Sequence, residues 1–239
     1  MPPLAAYEGV VTAGEKMEAR GKKRKLREIR GKKGSLREIR GKREGYGESR
    51  KAMGEGENLK TPGTDSGNII LIGMPTSGKS TVGVILAKIL GKDFIDSDIV
   101  IQKREGAALS VIIENKGIDG FLKCEEQALL DIKVSDTVIA TGGSAVYSDA
   151  AMKQLSKEAV VIYLKIGQEE LKKRLKSIKE RGVVMRPGES LEDMYAVRSE
   201  LYERYADMIV EEEGASIEDT VNAAVEALRK GNYDLSFEF

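Results

Sequence analysis

The chain has 239 residues, with 39 Lys and Arg balanced by 39 Asp and Glu, no His and a single Cys. That length suffices for one α/β domain with a sizeable core, while the lone Cys124 excludes an internal disulfide and, without His, leaves no zinc or iron–sulfur ligand set. No apolar run approaches the roughly 18 residues of a membrane span, and the N-terminus lacks the basic-then-apolar order of a secretory signal, so a cytoplasmic protein with no membrane partner is expected.

The neutral total hides two opposite parts. Residues 1–66 carry 17 Lys and Arg against 10 Asp and Glu, whereas the remainder carries 22 against 29. Leu, Ile, Val and Phe number only 8 of those first 66 residues, too few to bury a core. A disordered basic extension and linker is therefore expected over 1–66, a single domain over 67–231 and a short tail over 232–239. The stretch from Arg20 to Arg43, which contains a ten-residue near-repeat, holds 13 basic and 2 acidic residues, enough to attract a nucleic-acid backbone. It holds no aromatic for base stacking, so a solvated tail is the plainer reading.

Next comes Asn68-Ile-Ile-Leu-Ile-Gly73, whose four apolar residues suit a buried parallel strand, and then Gly73 to Ser80 fits G-x-x-x-x-G-K-[ST] without a mismatch. This is a phosphate-binding loop. Gly73 and Gly78 permit the torsion angles that turn backbone N–H groups inward, and the following helix adds its positive N-terminal end. Lys79 supplies a point charge for the β and γ phosphates, Ser80 a hydroxyl for Mg²⁺, and Thr76, Ser77 and Thr81 complete the nucleotide contacts. Val82, Ile85, Leu86, Ile89 and Leu90 form an apolar helical stripe that ends at Gly91, a left-handed cap.

Beyond it, Asp93 to Asp98 reads as a short strand ending in two carboxylates, Asp96 and Asp98. Ile99 to Asp131 is helical in pattern, broken near Gly106 and Gly117. Val138 to Thr141 is a buried strand running into Gly142-Gly143-Ser144, and Val160 to Leu164 is another, followed by a helix that turns Leu171, Leu175 and Ile178 inward. Lys179 to Ser190, with Gly182, Pro187, Gly188 and Arg186, has the composition of a mobile flap. A helix from Leu191 carries Arg198 and Tyr202, Met208 to Val210 is a last strand, and Ser216 with Asp219 forms a capping box for the final helix. Strands alternating with helices mean a parallel sheet covered on both faces.

In this order the P-loop, Asp96-Ser-Asp98, Gly142-Gly143, Arg186-Pro187 and Arg198-Ser-Glu-Leu-Tyr202 resemble the shikimate kinase family, over residues 68–230. The resemblance implies an α/β P-loop NTPase fold, a three-layer sandwich whose five-stranded parallel sheet has order 2-3-1-4-5, with a mobile lid. It also implies transfer of the γ-phosphoryl group of ATP to a hydroxyl of shikimate, with ATP and Mg²⁺ required and a monomer expected. By position it makes Asp98 the acceptor-binding carboxylate and candidate proton acceptor, and Asp96 a group that helps place Mg²⁺. Gly142 and Gly143 become backbone contacts to substrate, Arg186 the lid arginine that meets the phosphates, Arg198 the partner of the substrate carboxylate, and Arg174 a neighbour of adenine.

Two positions depart from the family pattern: Leu122 and then Lys123 stand where an arginine should follow Phe121, and Ser144 replaces a third glycine. Leu122 could instead be a core residue. Other readings are a kinase of another small hydroxylated metabolite, such as a hydroxy amino acid or a sugar acid, and a nucleic-acid-associated NTPase that uses the basic tail.

Overall fold

A computed structural model describes residues 67–177, 183–186, 188–212, 215–231 and 233. The expected N-terminal extension, Ile178 with its expected inward face, the flap residues 179–182 and 187, and nearly all of the short tail lie outside them. Five parallel strands, β1 (Asn68–Gly73), β2 (Asp93–Asp96), β3 (Thr137–Ala140), β4 (Ala159–Lys165) and β5 (Met208–Glu211), form one sheet of order β2-β3-β1-β4-β5. The expected order is met. Among the described residues seven α-helices surround the sheet: α1 (Lys79–Leu90), α2 (Ser97–Glu105), α3 (Leu109–Asp131), α4 (Asp149–Leu155), α5 (Gln168–Ser177), α6 (Leu191–Tyr205) and α7 (Ile217–Lys230).

The strand alternation divides the core. Ile69 and Leu71 of β1 join Val138, Val160, Ile162 and Val210 on one face, against Val82 and Leu86 of α1 and Val221, Ala224 and Leu228 of α7. Ile70 and Ile72 turn the other way with Ile139, Val161 and Tyr163, against Met152 of α4, Leu171 of α5 and Met194 and Tyr202 of α6. Ile70, Leu71 and Ile72 are fully buried, each worth about 1.5–3 kcal/mol of removed apolar surface. Register is pinned at the base of the sheet, where Asn68 Oδ1 accepts from Thr137 N at 3.0 Å and its Nδ2 donates to Val134 O at 2.7 Å.

Three local expectations change. The apolar stripe of α1 is rotated, because Val82, Gly83, Leu86 and Ala87 face the sheet while Ile85 is exposed. Gly83 decides this: a Cβ there would stand 2.6 Å from Phe94 and 3.2 Å from Leu71, so the helix approaches through its smallest residue. The strand β2 ends at Asp96, which caps α2, so Asp98 belongs to the first turn of that helix rather than to the strand. Leu122 is part-buried beside a small cluster of Ile101, Ile112, Phe121, Ala128 and Val184 that links α2 and α3 to the flap. Gly91 caps α1 at φ 65°, Gly106 caps α2 at φ 67°, and Gly117 kinks α3 at φ 69°, as their spacing suggests.

Candidate active site

The loop after β1 is shaped by positions that reject side chains or accept strain. At Gly73, with φ 151°, a Cβ would lie 2.5 Å from Leu164 O and 2.9 Å from Ser77 Oγ. Gly78 precedes α1 at φ 79°, and between them Thr76 has φ 68°, costly for a β-branched residue. Arg174 holds that strained peptide, its Nη1 donating to Thr76 O at 3.0 Å. Ser77 is buried, whereas Ser80 and Thr81 are exposed at the first turn of the helix.

Lys79 folds back across its own loop. Its Nζ donates to Met74 O at 2.7 Å, to Gly73 O at 2.9 Å and to Ser77 Oγ at 3.4 Å. Burial pulls the ammonium down to about 8, while the charges of Asp98, Glu212 and Asp96 act to raise it. The loop thus holds a desolvated cation whose charge an incoming polyphosphate would stabilise.

On one side, Asp96 Oδ1 accepts from Asp98 N at 2.9 Å and Ile99 N at 3.4 Å, so the cap fixes where Asp98 sits. Asp98 Oδ1 lies 2.8 Å from the point a Cβ on Gly142 would occupy, and Glu125 Oε1 crowds the same point. Gly142 is glycine because two carboxylates need that space. Its N–H is engaged by Ser97 Oγ at 3.0 Å. Its neighbour Gly143 is pressed between groups, with Tyr202 OH donating to its carbonyl at 2.5 Å and a Cβ there reaching 2.9 Å from Pro75 Cδ.

Glu125 is the residue that sequence reasoning passed over. It is 2% exposed, its Oε1 has no hydrogen-bond partner, and it lies beside Asp98 and Gly142. Burial pushes its carboxyl up to about 7; a bond from Ser144 and the charges of Arg198 and Lys79 oppose that, and Asp98 adds to it. A signal existed, since Phe121, Glu125, Ala128 and Leu129 fall at i, i+4, i+7 and i+8 and put a carboxylate on an apolar stripe. Ser144, the departure from the family's third glycine, is buried and supplies that bond.

Arg198 completes this side. It is 1% exposed, its Nε donates to Tyr147 OH at 3.1 Å, its Nη2 donates to Val184 O, and its guanidinium carbon lies 5.1 Å from the Tyr147 ring centroid. Helix α6 presents Arg198 and Tyr202 one turn apart on its buried face. The structure therefore brings Lys79, Asp98, Gly142, Gly143 and Arg198 of the expected site into one neighbourhood, with Asp96 behind them as a cap.

Arg186 follows Val184, whose carbonyl accepts from Arg198. It is exposed in a turn whose bonds are with Glu189, its N–H donating to Glu189 Oε2 and its carbonyl accepting from Glu189 N, both at 2.9 Å. Arg174 lies on the other flank of the P-loop, bonded also to Glu170 and Glu212. Lys123 is exposed.

A family model for shikimate kinase matches residues 75–229. Among curated relatives, a shikimate kinase of Haemophilus influenzae is 37% identical over 169 residues, spanning 69% of this chain and 94% of that protein. One of Nitrosomonas europaea is 35% identical over 190 residues, spanning 75% and 90%. Among solved structures, shikimate kinase from Acinetobacter baumannii in complex with shikimate superposes with a TM-score of 0.64 at 29% identity, over 70% of this chain and 94% of that one. The enzyme from Aquifex aeolicus gives a TM-score of 0.61 at 32% identity, over 70% and 99%. With the P-loop, the paired aspartates and the buried arginine already in place, these matches establish that the chain belongs to the shikimate kinase family.

Proposed function

We propose that this chain transfers the γ-phosphoryl group of ATP to a hydroxyl of shikimate, giving shikimate 3-phosphate in aromatic amino-acid biosynthesis. The observation that carries the reading is how Gly142 and Gly143 join two groups, Gly143 lying against Pro75 of the P-loop and Gly142 against Asp98 Oδ1, with the Asp98 charge acting to raise the Lys79 ammonium. A carboxylate able to orient an alcohol thus stands beside a cation able to hold phosphate.

The loop amides and Lys79 bind the donor's phosphates, and Arg186 adds positive charge if the flap folds over them. Asp98 accepts a hydrogen bond from the acceptor hydroxyl and takes its proton as the oxygen bonds to the γ-phosphorus and the bond to the ADP oxygen breaks. Glu125, Gly143 and Arg198 orient the acceptor, with Arg198 facing its carboxylate. Phosphoryl transfer asks no nucleophilic side chain of the protein, so a chain without His is sufficient.

The donor set suits Mg²⁺, which keeps most of its water and takes one or two protein groups besides phosphate. Ser80 offers an exposed hydroxyl at the helix start, and Asp96 uses Oδ1 for its cap bonds. Bound there, Mg²⁺ would neutralise phosphate charge. Residues 67–231 form the kinase domain in this reading, and the protein acts as a cytoplasmic monomer on small molecules. Among the described residues no helix is long and apolar enough to cross a membrane.

An ADP-release assay across shikimate, hydroxy amino acids, sugar acids and nucleoside monophosphates tests the acceptor. Shikimate is expected to give the highest kcat/KM, and a higher value for any other acceptor would refute the assignment. The family arginine after Phe121 is absent, and if exposed Lys123 replaces it, Lys123→Ala raises the KM for shikimate; an unchanged KM shows that Arg198 suffices.

A further inference from the structure

The segment after β3 touches two charged groups of the acceptor side. Ser144 precedes a single 3₁₀ turn, Ala145–Tyr147, which closes as Tyr147 N donates to Ser144 O at 2.9 Å. We propose that Ser144 and Tyr147 are positioning residues of the acceptor site, the Ser144 hydroxyl fixing Glu125 and the Tyr147 hydroxyl fixing Arg198, so that one turn sets the affinity for the acceptor. The inference rests on the acceptor reading above and assigns it two residues that act through others.

A serine at the start of a turn commonly directs its oxygen to a nearby backbone N–H. Ser144 makes no such bond. It is 4% exposed, and its hydroxyl bonds to the Glu125 carboxylate instead. Oε1 of Glu125, by contrast, has no hydrogen-bond partner and lies 2.2 Å from the point a Cβ on Gly142 would occupy, with Asp98 Oδ1 2.8 Å from the same point. A buried carboxylate that is held by one bond and keeps one oxygen unpartnered is suited to accept from an incoming hydroxyl. Helix α3 offers no hold one turn earlier, because Leu122 is apolar and packs against the cluster that includes Phe121.

Tyr147 holds Arg198 in two ways. Its hydroxyl accepts from Arg198 Nε at 3.1 Å, and its ring centroid stands 5.1 Å from the guanidinium carbon, while Nη2 donates to Val184 O. A guanidinium on a long flexible stem loses rotamer freedom when it meets a carboxylate, and one already fixed loses less. That matters in this chain, where the position after Phe121 is Leu122 and supplies no second guanidinium.

The turn is itself tied to both helices. Ser148, just beyond it, donates from Oγ to Glu126 Oε2 and accepts there from Ala151 N at 3.1 Å, so Ser144 and Ser148 meet adjacent glutamates of α3. Tyr202 OH of α6 donates to Gly143 O at 2.5 Å. The charges that face Glu125 come from Asp98 of α2, Arg198 of α6 and Lys79 of α1, while Ser144 acts by direct contact and favours the ionised form.

The test uses the full chain with Ser144→Ala and Tyr147→Phe, each of which removes one oxygen. Each should raise the KM for shikimate at least about fivefold, with kcat and the KM for ATP within about twofold of wild type. In a Glu125→Met background Ser144→Ala should change the KM for shikimate less than about twofold, because its hydroxyl then has no carboxylate to hold. Carbon-13 NMR of labelled glutamate carboxyls supplies a readout without turnover: the signal that titrates near 7, identified by its loss in Glu125→Gln, should move upward by at least about half a unit in Ser144→Ala. An unchanged KM for shikimate in either variant, an equal rise in the Glu125→Met background, or an unmoved titration overturns the proposal. Should one variant fail to fold, the other still decides, since both hydroxyls are required. If wild type phosphorylates no shikimate, the acceptor reading fails, while the titration still decides whether Ser144 holds Glu125.

Discussion

The middle of the sheet and the rim around the carboxyl ends of its strands obey opposite rules. In the middle, Ile70, Leu71, Ile139 and Ile162 are fully buried among apolar neighbours, and their backbones are paired along parallel ladders. Around those ends Lys79 and Glu212, which follow β1 and β5, and Glu125 and Arg198, brought in by α3 and α6, are buried, and each of the two carboxylates has one oxygen without a hydrogen-bond partner. The first region lowers the free energy of the fold; the second holds desolvated polar groups, which we read as a ligand site. Stability is spent where recognition is needed.

Substitutions on each side of this divide sharpen it. The largest effect is expected for Lys79→Met, which removes the phosphate cation and should lower turnover about 10³-fold, measured by ADP release, while circular dichroism shows a retained fold. A rate within tenfold of wild type would place catalysis elsewhere. In the middle of the sheet Leu71→Ala should cost about 2–5 kcal/mol in urea unfolding and leave the KM for both substrates nearly unchanged at permissive temperature. Asp98→Asn should reduce kcat about 10²-fold with little change in the KM for ATP, and an unaltered kcat would remove it from proton transfer.

Glu125→Gln should act in opposite senses on function and stability. The carboxyl is raised to about 7 by burial, so the folded chain holds its proton more tightly than the unfolded chain does. Its ionisation therefore costs nothing below the ordinary carboxyl value, costs progressively more as pH rises toward 7, and costs most above that. The Gln variant should be more stable than wild type by about 1–3 kcal/mol at pH 8, and should lose that advantage near pH 4.5. Its KM for shikimate should rise. A destabilised variant at pH 8 would mean that Glu125 supports the fold as the core residues do.

Features carried by short-range pattern were legible in the sequence. The P-loop, the alternation of strand and helix, the cap at Gly91 and the Ser216–Asp219 box each depend on residues close in the chain, and all stand in the structure. The apolar face of α1 was misjudged at Ile85 because Gly83, not a large residue, sets the closest approach to Leu71 and Phe94. Asp98 was placed on a strand because its two-residue spacing from Asp96 looks the same whether the second aspartate extends a strand or opens a helix; the Asp96 cap decides.

Glu125 and Glu212 show why the rest was hidden. Each is an ordinary charged residue in sequence, and only tertiary burial separates Glu125 from part-buried Glu126 and Glu212 from exposed Glu211. Leu122 is the converse, a position marked by family pattern whose part-buried side chain packs against the small cluster that includes Phe121 and Ile101.

The most direct test is phosphorus NMR of the purified chain with ATP, Mg²⁺ and shikimate. A new phosphomonoester signal should grow in step with loss of the γ-phosphate resonance, and should be absent with Lys79→Met. Release of inorganic phosphate in its place, or equal γ-phosphate loss with and without shikimate, would contradict a site in which Asp98 presents an acceptor hydroxyl to the phosphate held by Lys79.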